Sequence, residues 1–300
     1  MGAARFGKVL TAMATPFHDD GALDLDGAVR LARWLVAQGN DGLVLAGTTG
    51  EGATLSDDEK VELWQAVRAA VDVPLLAGTG SNDTRHTIGL SQRAAATGVD
   101  GLLVVSPYYN KPPQAGLVAH YRALAAAVDL PIVLYDVPGR TGRAMSVDTI
   151  VTLATEVPGV VGIKDARGNP FESARIVAAA PSDFDLISGD DGLTLPLLAV
   201  GATGVIGVAT HWTAGLHGDM ISAFEKGDHD TAREINARML ESFAYEATDL
   251  WQHAAGVKTL LAQLGLPAGP CRLPLPPVPD EARARARHII EALELTELTQ

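Results

Sequence analysis

A rhythm dominates this chain: eight short, β-rich apolar runs alternate with segments of helical patterning. The runs are Lys8–Met13, Gly42–Ala46, Pro74–Gly78, Gly101–Ser106, Pro131–Asp136, Val160–Lys164, Phe184–Ser188 and Gly204–Ala209. Their starts lie 34, 32, 27, 30, 29, 24 and 20 residues apart, the size of a strand-loop-helix-loop unit. Several are almost wholly apolar, as parallel strands covered on both faces must be. Between them, Asp24–Gly39 opens on an Asp cap and Ser56–Ala70 on the capping box Ser56/Glu59. Eight such units fit a closed (β/α)8 TIM barrel, with an open doubly wound sheet as the competing arrangement. After about Gly218 the pattern is helical only, over Asp219–Lys226, Asp228–Thr248, Leu250–Leu264 and Asp280–Leu295. The chain therefore divides into a barrel domain over 1–224 and a C-terminal helical extension over 225–300. The proline-rich segment Pro267–Pro279 is read as an irregular link between two of those helices.

Composition narrows the function. Hydrophobic residues make up 47% of the 300, enough for a large core. The formal charge is −13 and no run of cations occurs, which argues against a nucleic-acid partner. Gly192–Gly218 carries no formal charge, but Pro196, Gly201, Gly204 and Gly207 interrupt it. It reads as a buried helix and strand rather than a membrane span. The apolar stretch Val9–Ala14 is too short for a signal-peptide core. The single Cys271 cannot close an intrachain disulfide. These readings together predict a cytoplasmic protein.

Barrel chemistry sits at the C-terminal ends of strands, so the residues just after each run carry the search. Gly47-Thr48-Thr49-Gly50-Glu51-Gly52 lacks the ending of a phosphate loop, and Gly78-Thr79-Gly80 lacks the later glycine of a dinucleotide fingerprint. Lys164 closes the sixth run, and alternation places it on the face of Val160 and Gly162. An amine among apolar barrel residues loses solvation, which favours its neutral, nucleophilic form. Tyr135 stands at the end of the neighbouring fifth run, just before Asp136, at about 4.8 Å strand spacing, close enough for a phenol to pass protons during imine formation. Arg140, in the loop that follows, suits bidentate capture of a substrate carboxylate above the mouth. A rim lysine paired to Asp165 or Asp190, a packing tyrosine and a surface arginine are the plain structural alternatives. The eight histidines form no H-x-E or H-x-x-x-H pair, so no metal site is expected.

Gly47-Thr48-Thr49-Gly50-Glu51, Pro107-Tyr108-Tyr109-Asn110, Tyr135-x-Val137-Pro138-x-Arg140-Thr141-Gly142 and Gly162-Ile163-Lys164-Asp165 resemble the dihydrodipicolinate synthase / N-acetylneuraminate lyase family. The match extends over Ser188-Gly189-Asp190-Asp191 and the C-terminal helices. Arg140-Thr141-Gly142 resembles the synthase branch more than the sialic acid lyases. The resemblance implies a class I lyase that condenses pyruvate with L-aspartate 4-semialdehyde to 4-hydroxy-tetrahydrodipicolinate. It implies an imine between Lys164 and pyruvate with no other cofactor, and a homo-oligomer, dimer or tetramer. Thr48, Tyr135 and Tyr109 are implied as the proton relay, Tyr109 from a neighbouring subunit. By the same resemblance Thr48 and Thr49 are implied to bind the pyruvate carboxylate, Arg140 that of the semialdehyde, and Gly189 and Ile206 to line the pocket. Gly207 stands where a serine is common, and His211 where an asparagine is common.

At the lysine pocket of feedback-inhibited members, a glutamate is expected near His86. Histidines are expected in the stretch that here holds Asp57 and Lys60. The resemblance implies insensitivity or only weak sensitivity to L-lysine, unless Asp57 or Asp83 supplies the substitute carboxylate. Another pyruvate-dependent aldolase, or a non-catalytic sensor of 2-oxo acids on the same barrel, are the competing functions.

Overall fold

The computed structural model describes residues 4–246 and 248–295. Eight parallel strands, β1 (Val9–Ala12), β2 (Gly42–Leu45), β3 (Leu75–Gly78), β4 (Gly101–Val105), β5 (Ile132–Asp136), β6 (Val160–Asp165), β7 (Asp185–Ser188) and β8 (Gly204–Gly207), pair in order. Pairing of β8 with β1 closes the barrel and settles the choice against an open sheet. The helices outside it are α1 (Leu25–Ala37), α2 (Asp57–Arg68), α3 (Thr84–Ala95) and α4 (Gln114–Ala125), then α5 (Pro138–Thr141), α6 (Val147–Glu156), α7 (Pro170–Ala179), α8 (Thr194–Leu198) and α9 (Thr210–Glu225). Beyond these come α10 (His229–Glu246), α11 (His253–Gln263) and α12 (Asp280–Ala292). The helix starts follow the sequence. Asp24 accepts the Gly27 N–H at 2.7 Å, and the reciprocal Ser56/Glu59 capping box is formed.

Alternation along the strands makes two cores. Leu10, Val44, Leu76, Leu103, Val133, Ile187 and Ile206 fill the barrel, whereas Leu43, Leu75, Leu102, Leu134 and Ile163 meet the helices outside. One strand departs from simple alternation. Ile132 pairs with Val160 but Val133 pairs with Gly162, so β6 carries an extra residue, Val161. The bulge turns Val160 to the outer core and Val161 toward the interior, so Val160 does not share the face of Lys164.

Helix α9 also departs from the sequence reading, beginning at Thr210 rather than Asp219. Its first residues, Thr210 to Ala214, are all buried and Thr213 is non-helical (φ −119°), so no amphipathic period marks the start. The link after α11 is fastened to the barrel. Arg272 grips Glu59 with two bonds (2.5 and 2.9 Å) and gives its N–H to Glu51, while the buried Lys258 ammonium lies 2.6 Å from Glu51 Oε1.

Candidate active site

The β5–β6 register sets Tyr135 directly beside Lys164. Both are buried, at 7% and 5% exposure, and the Lys164 Nζ stands 4.7 Å from the centre of the Tyr135 ring. Among the described residues no carboxylate oxygen lies within 4.0 Å of that amine. Asp165, the nearest candidate partner in sequence, is turned away. Its two oxygens take a bidentate pair from Arg167 (2.8 and 2.6 Å) and a third bond from Ser173. The lysine side chain also needs room, and Gly189 provides it. A Cβ there would stand 2.9 Å from Lys164 Cγ and 3.1 Å from its Cε.

Around the amine lies a cavity of about 240 Å³ at the C-terminal mouth, lined by Thr48, Thr49, Tyr135, Arg140, Lys164 and Gly189 among others. It is smaller than the roughly 300–1,000 Å³ of drug-sized sites, a size for small metabolites. Thr49 is buried, whereas Thr48 is exposed where this cavity meets a second one of about 530 Å³. Arg140 rides on the short helix α5, ended by Gly142 in the left-handed region (φ +72°), and reaches Gln252 Oε1 at 3.4 Å.

Two residues implied by resemblance lie outside this wall. Ile206 is fully buried in the barrel interior, paired with Leu10, and Val208 forms the wall at β8 instead. Tyr109 is 89% exposed on the loop after β4, at φ +71°, a strained conformation for an aromatic residue. The loop is nonetheless held in place, with Asn110 Nδ2 donating to Asn82 O at 2.9 Å.

Sequence reading missed the part of the wall that comes from the C-terminal helices: Phe243, Glu246 and His253. Burial first, then the cationic Arg140 and Lys164, lowers His253 to about 4, so its imidazole is neutral at physiological pH. Burial, and next the charge of Asp191, raises the Asp190 carboxyl above its ordinary range. No apolar run or strand end marks these helix-end positions, and only packing brings them to the mouth. Among the described residues, no group of three or more His, Cys, Asp or Glu side chains is arranged to hold a metal ion. No helix among them is long and apolar enough to cross a membrane.

An amine beside a phenol in a small buried cavity, under a guanidinium, is equipped to form an imine with a 2-oxo acid. Relatives agree. The chain is 51% identical over 300 residues to the 4-hydroxy-tetrahydrodipicolinate synthase of Acidothermus cellulolyticus, covering 99% of this chain and 96% of that protein. To the enzyme of the same name from Moorella thermoacetica it is 48% identical, covering 90% and 92%. Among solved structures, dihydrodipicolinate synthase from Cyanidioschyzon merolae, crystallised with lysine bound, superposes with a TM-score of 0.92 at 42% identity, covering 97% and 99%. A Bacillus anthracis dihydrodipicolinate synthase does so at 0.91 and 40%, covering 95% and 98%. The model of the dihydrodipicolinate synthetase family matches residues 5–293, and the chain belongs to that family.

Proposed function

We propose that this lyase condenses pyruvate with L-aspartate 4-semialdehyde to 4-hydroxy-tetrahydrodipicolinate, the step by which its relatives are named and one that feeds lysine and diaminopimelate synthesis. The observation that carries the reading is the buried Lys164 amine 4.7 Å from the Tyr135 ring, in a cavity whose mouth holds Arg140. The amine adds to the keto carbon of pyruvate, and loss of water from the carbinolamine leaves an imine. Removal of a methyl proton gives an enamine, whose carbon attacks the aldehyde of the second substrate. The amino group of that substrate then displaces Lys164 from the imine carbon, closing the ring and freeing the enzyme. Tyr135 and Thr48, with Tyr109 from a neighbouring copy of the chain, carry the protons. Thr48 and Thr49 hold the pyruvate carboxylate, Arg140 that of the semialdehyde, and Gly189 keeps the lysine's space open. Ile206 acts from the layer beneath.

In this reading the covalent imine is the only cofactor chemistry, the enzyme works in the cytoplasm, and it assembles as a dimer or tetramer. The exposed, strained Tyr109 supports that assembly, because the ring is displayed outward and away from its own pocket. Borohydride reduction in the presence of pyruvate, followed by intact mass, tests the central assignment. One reduced pyruvate unit per chain is expected in the wild type and none in Lys164→Ala; labelling that persists in the variant removes Lys164 from the role. A panel of aldehydes offered to the pyruvate-loaded enzyme then distinguishes the semialdehyde from other aldol acceptors.

A further inference from the structure

The loop after β8, which walls the Lys164 cavity, is gripped by two carboxyl groups. The Val208 N–H donates to Asp191 Oδ2 at 2.8 Å, and the next amide, Ala209 N–H, donates to Glu246 Oε1 at 3.2 Å; both bonds are buried. Asp191 belongs to the turn after β7 and Glu246 to the end of α10, so one loop is held from two separate elements. The fold leaves room for this, since a Cβ on Gly207 would stand 2.4 Å from Asp191 Oδ1. Glu246 and Asp191 thus meet adjacent amides of one loop. Asp191 Oδ1 and His217 Nε2 are 3.6 Å apart, and the described residues offer neither a hydrogen-bond partner. Two neighbouring buried carboxyls do not both ionise readily, which favours the neutral form of Glu246.

We propose that Glu246 is a positioning residue for the Lys164 pocket: with Asp191 it clamps the consecutive Val208 and Ala209 amides, and the clamp weakens when Glu246 ionises beside Asp191. The proposal rests on reading that pocket as the catalytic one. Burial, then the charges of Asp191 and Asp190, hold Glu246 well above the usual carboxylate range. The other titratable or charged groups around it are His211 and His217 of α9, His253 of α11, and Lys164 and Arg140 across the cavity. Burial lowers His211 and His217 from their ordinary values, so neither supplies a compensating cation. A folded-state acid raised in this way stabilises at lower pH, and its contribution is lost as pH rises through its folded-state titration.

Comparing wild type, Glu246→Gln and Glu246→Ala tests the clamp. A glutamine keeps the acceptor for Ala209 without ionising; an alanine does not. The alanine variant is expected to lose about two- to tenfold in kcat/KM, as for one lost buried hydrogen bond, and glutamine to restore most of it. From neutral to alkaline pH the wild type should lose more melting temperature than the glutamine variant. Wild-type kinetics in the alanine variant, or an equal alkaline loss in the glutamine variant, overturns the proposal. If the alanine variant does not fold, the glutamine comparison decides alone. Borohydride trapping of pyruvate on the wild type separates the two readings: failure there removes the catalytic assignment of the pocket, whereas trapping with unaltered Glu246→Ala kinetics removes only the clamp.

Discussion

Lys164 and Tyr135 sit side by side because their strands pair in register, and each ends an apolar run where the barrel opens. If the Tyr135 hydroxyl relays protons, Tyr135→Phe lowers turnover by about 10²–10⁴-fold, while the ring, still packed, keeps the fold. Steady-state rates with matched circular dichroism check this, and a wild-type rate makes the hydroxyl structural. Arg140 belongs to a different level of the site. It is exposed above the mouth, whereas the imine forms at the buried amine. Arg140→Ala should therefore raise KM for the semialdehyde more than KM for pyruvate. A rise confined to pyruvate contradicts its role. Lys164 and Tyr135 were legible in the sequence because strand ends are, and Arg140 because it lies in the loop that follows; Glu246 and His253 were not, because they are helix-end residues remote in sequence from Lys164.

Among elements, the proline-rich link is the informative one. Its residues make no regular structure, yet Arg272 and Lys258 bind it and α11 to Glu59 and Glu51, the latter in the same loop as Thr48 and Thr49. Lys258 and Glu51 are both almost fully buried, and burial lowers the lysine from its ordinary value. Removing one partner leaves the other charge buried and unpaired. Lys258→Met should cost about 3–5 kcal/mol in urea unfolding, and adding Glu51→Leu should recover part of that loss. A single variant as stable as the wild type would show that the pair contributes little. The prolines marked an irregular segment correctly, but nothing local to them showed which barrel loop would receive it.

At the scale of the molecule, the barrel opens into two adjoining cavities, about 240 and 530 Å³, which share Thr48, Tyr135 and Arg140. The larger one holds Asp57, Lys60 and His86, where the resemblance predicts weak binding of L-lysine. Of the two substitute carboxylates, Asp57 and Asp83, Asp57 lines this cavity. Its carboxylate is already engaged, at 2.9 Å by His86 and 3.9 Å by Lys60. A ligand ammonium would have to displace those groups. Half-inhibition by L-lysine should therefore lie above about 1 mM, the range of ligands bound by roughly −4 kcal/mol or less. Initial rates across micromolar to tens-of-millimolar L-lysine measure it, and inhibition below that level would show Asp57 or Asp83 turning to the ligand.

Periodicity alone determined the eight βα units, and the ends of strands five and six with the loop after strand five, taken with side-chain chemistry, pointed to Lys164, Tyr135 and Arg140, because these signals are local. Closure of the sheet, the bulge at Val161 and the buried start of α9 are decided by pairing and packing partners that sequence spacing does not encode. The same holds for the wall of the site. Glu246 and His253 reach the mouth only because α10 and α11 fold back over the barrel, a contact between distant segments that depends on tertiary packing and leaves no periodic trace along the chain.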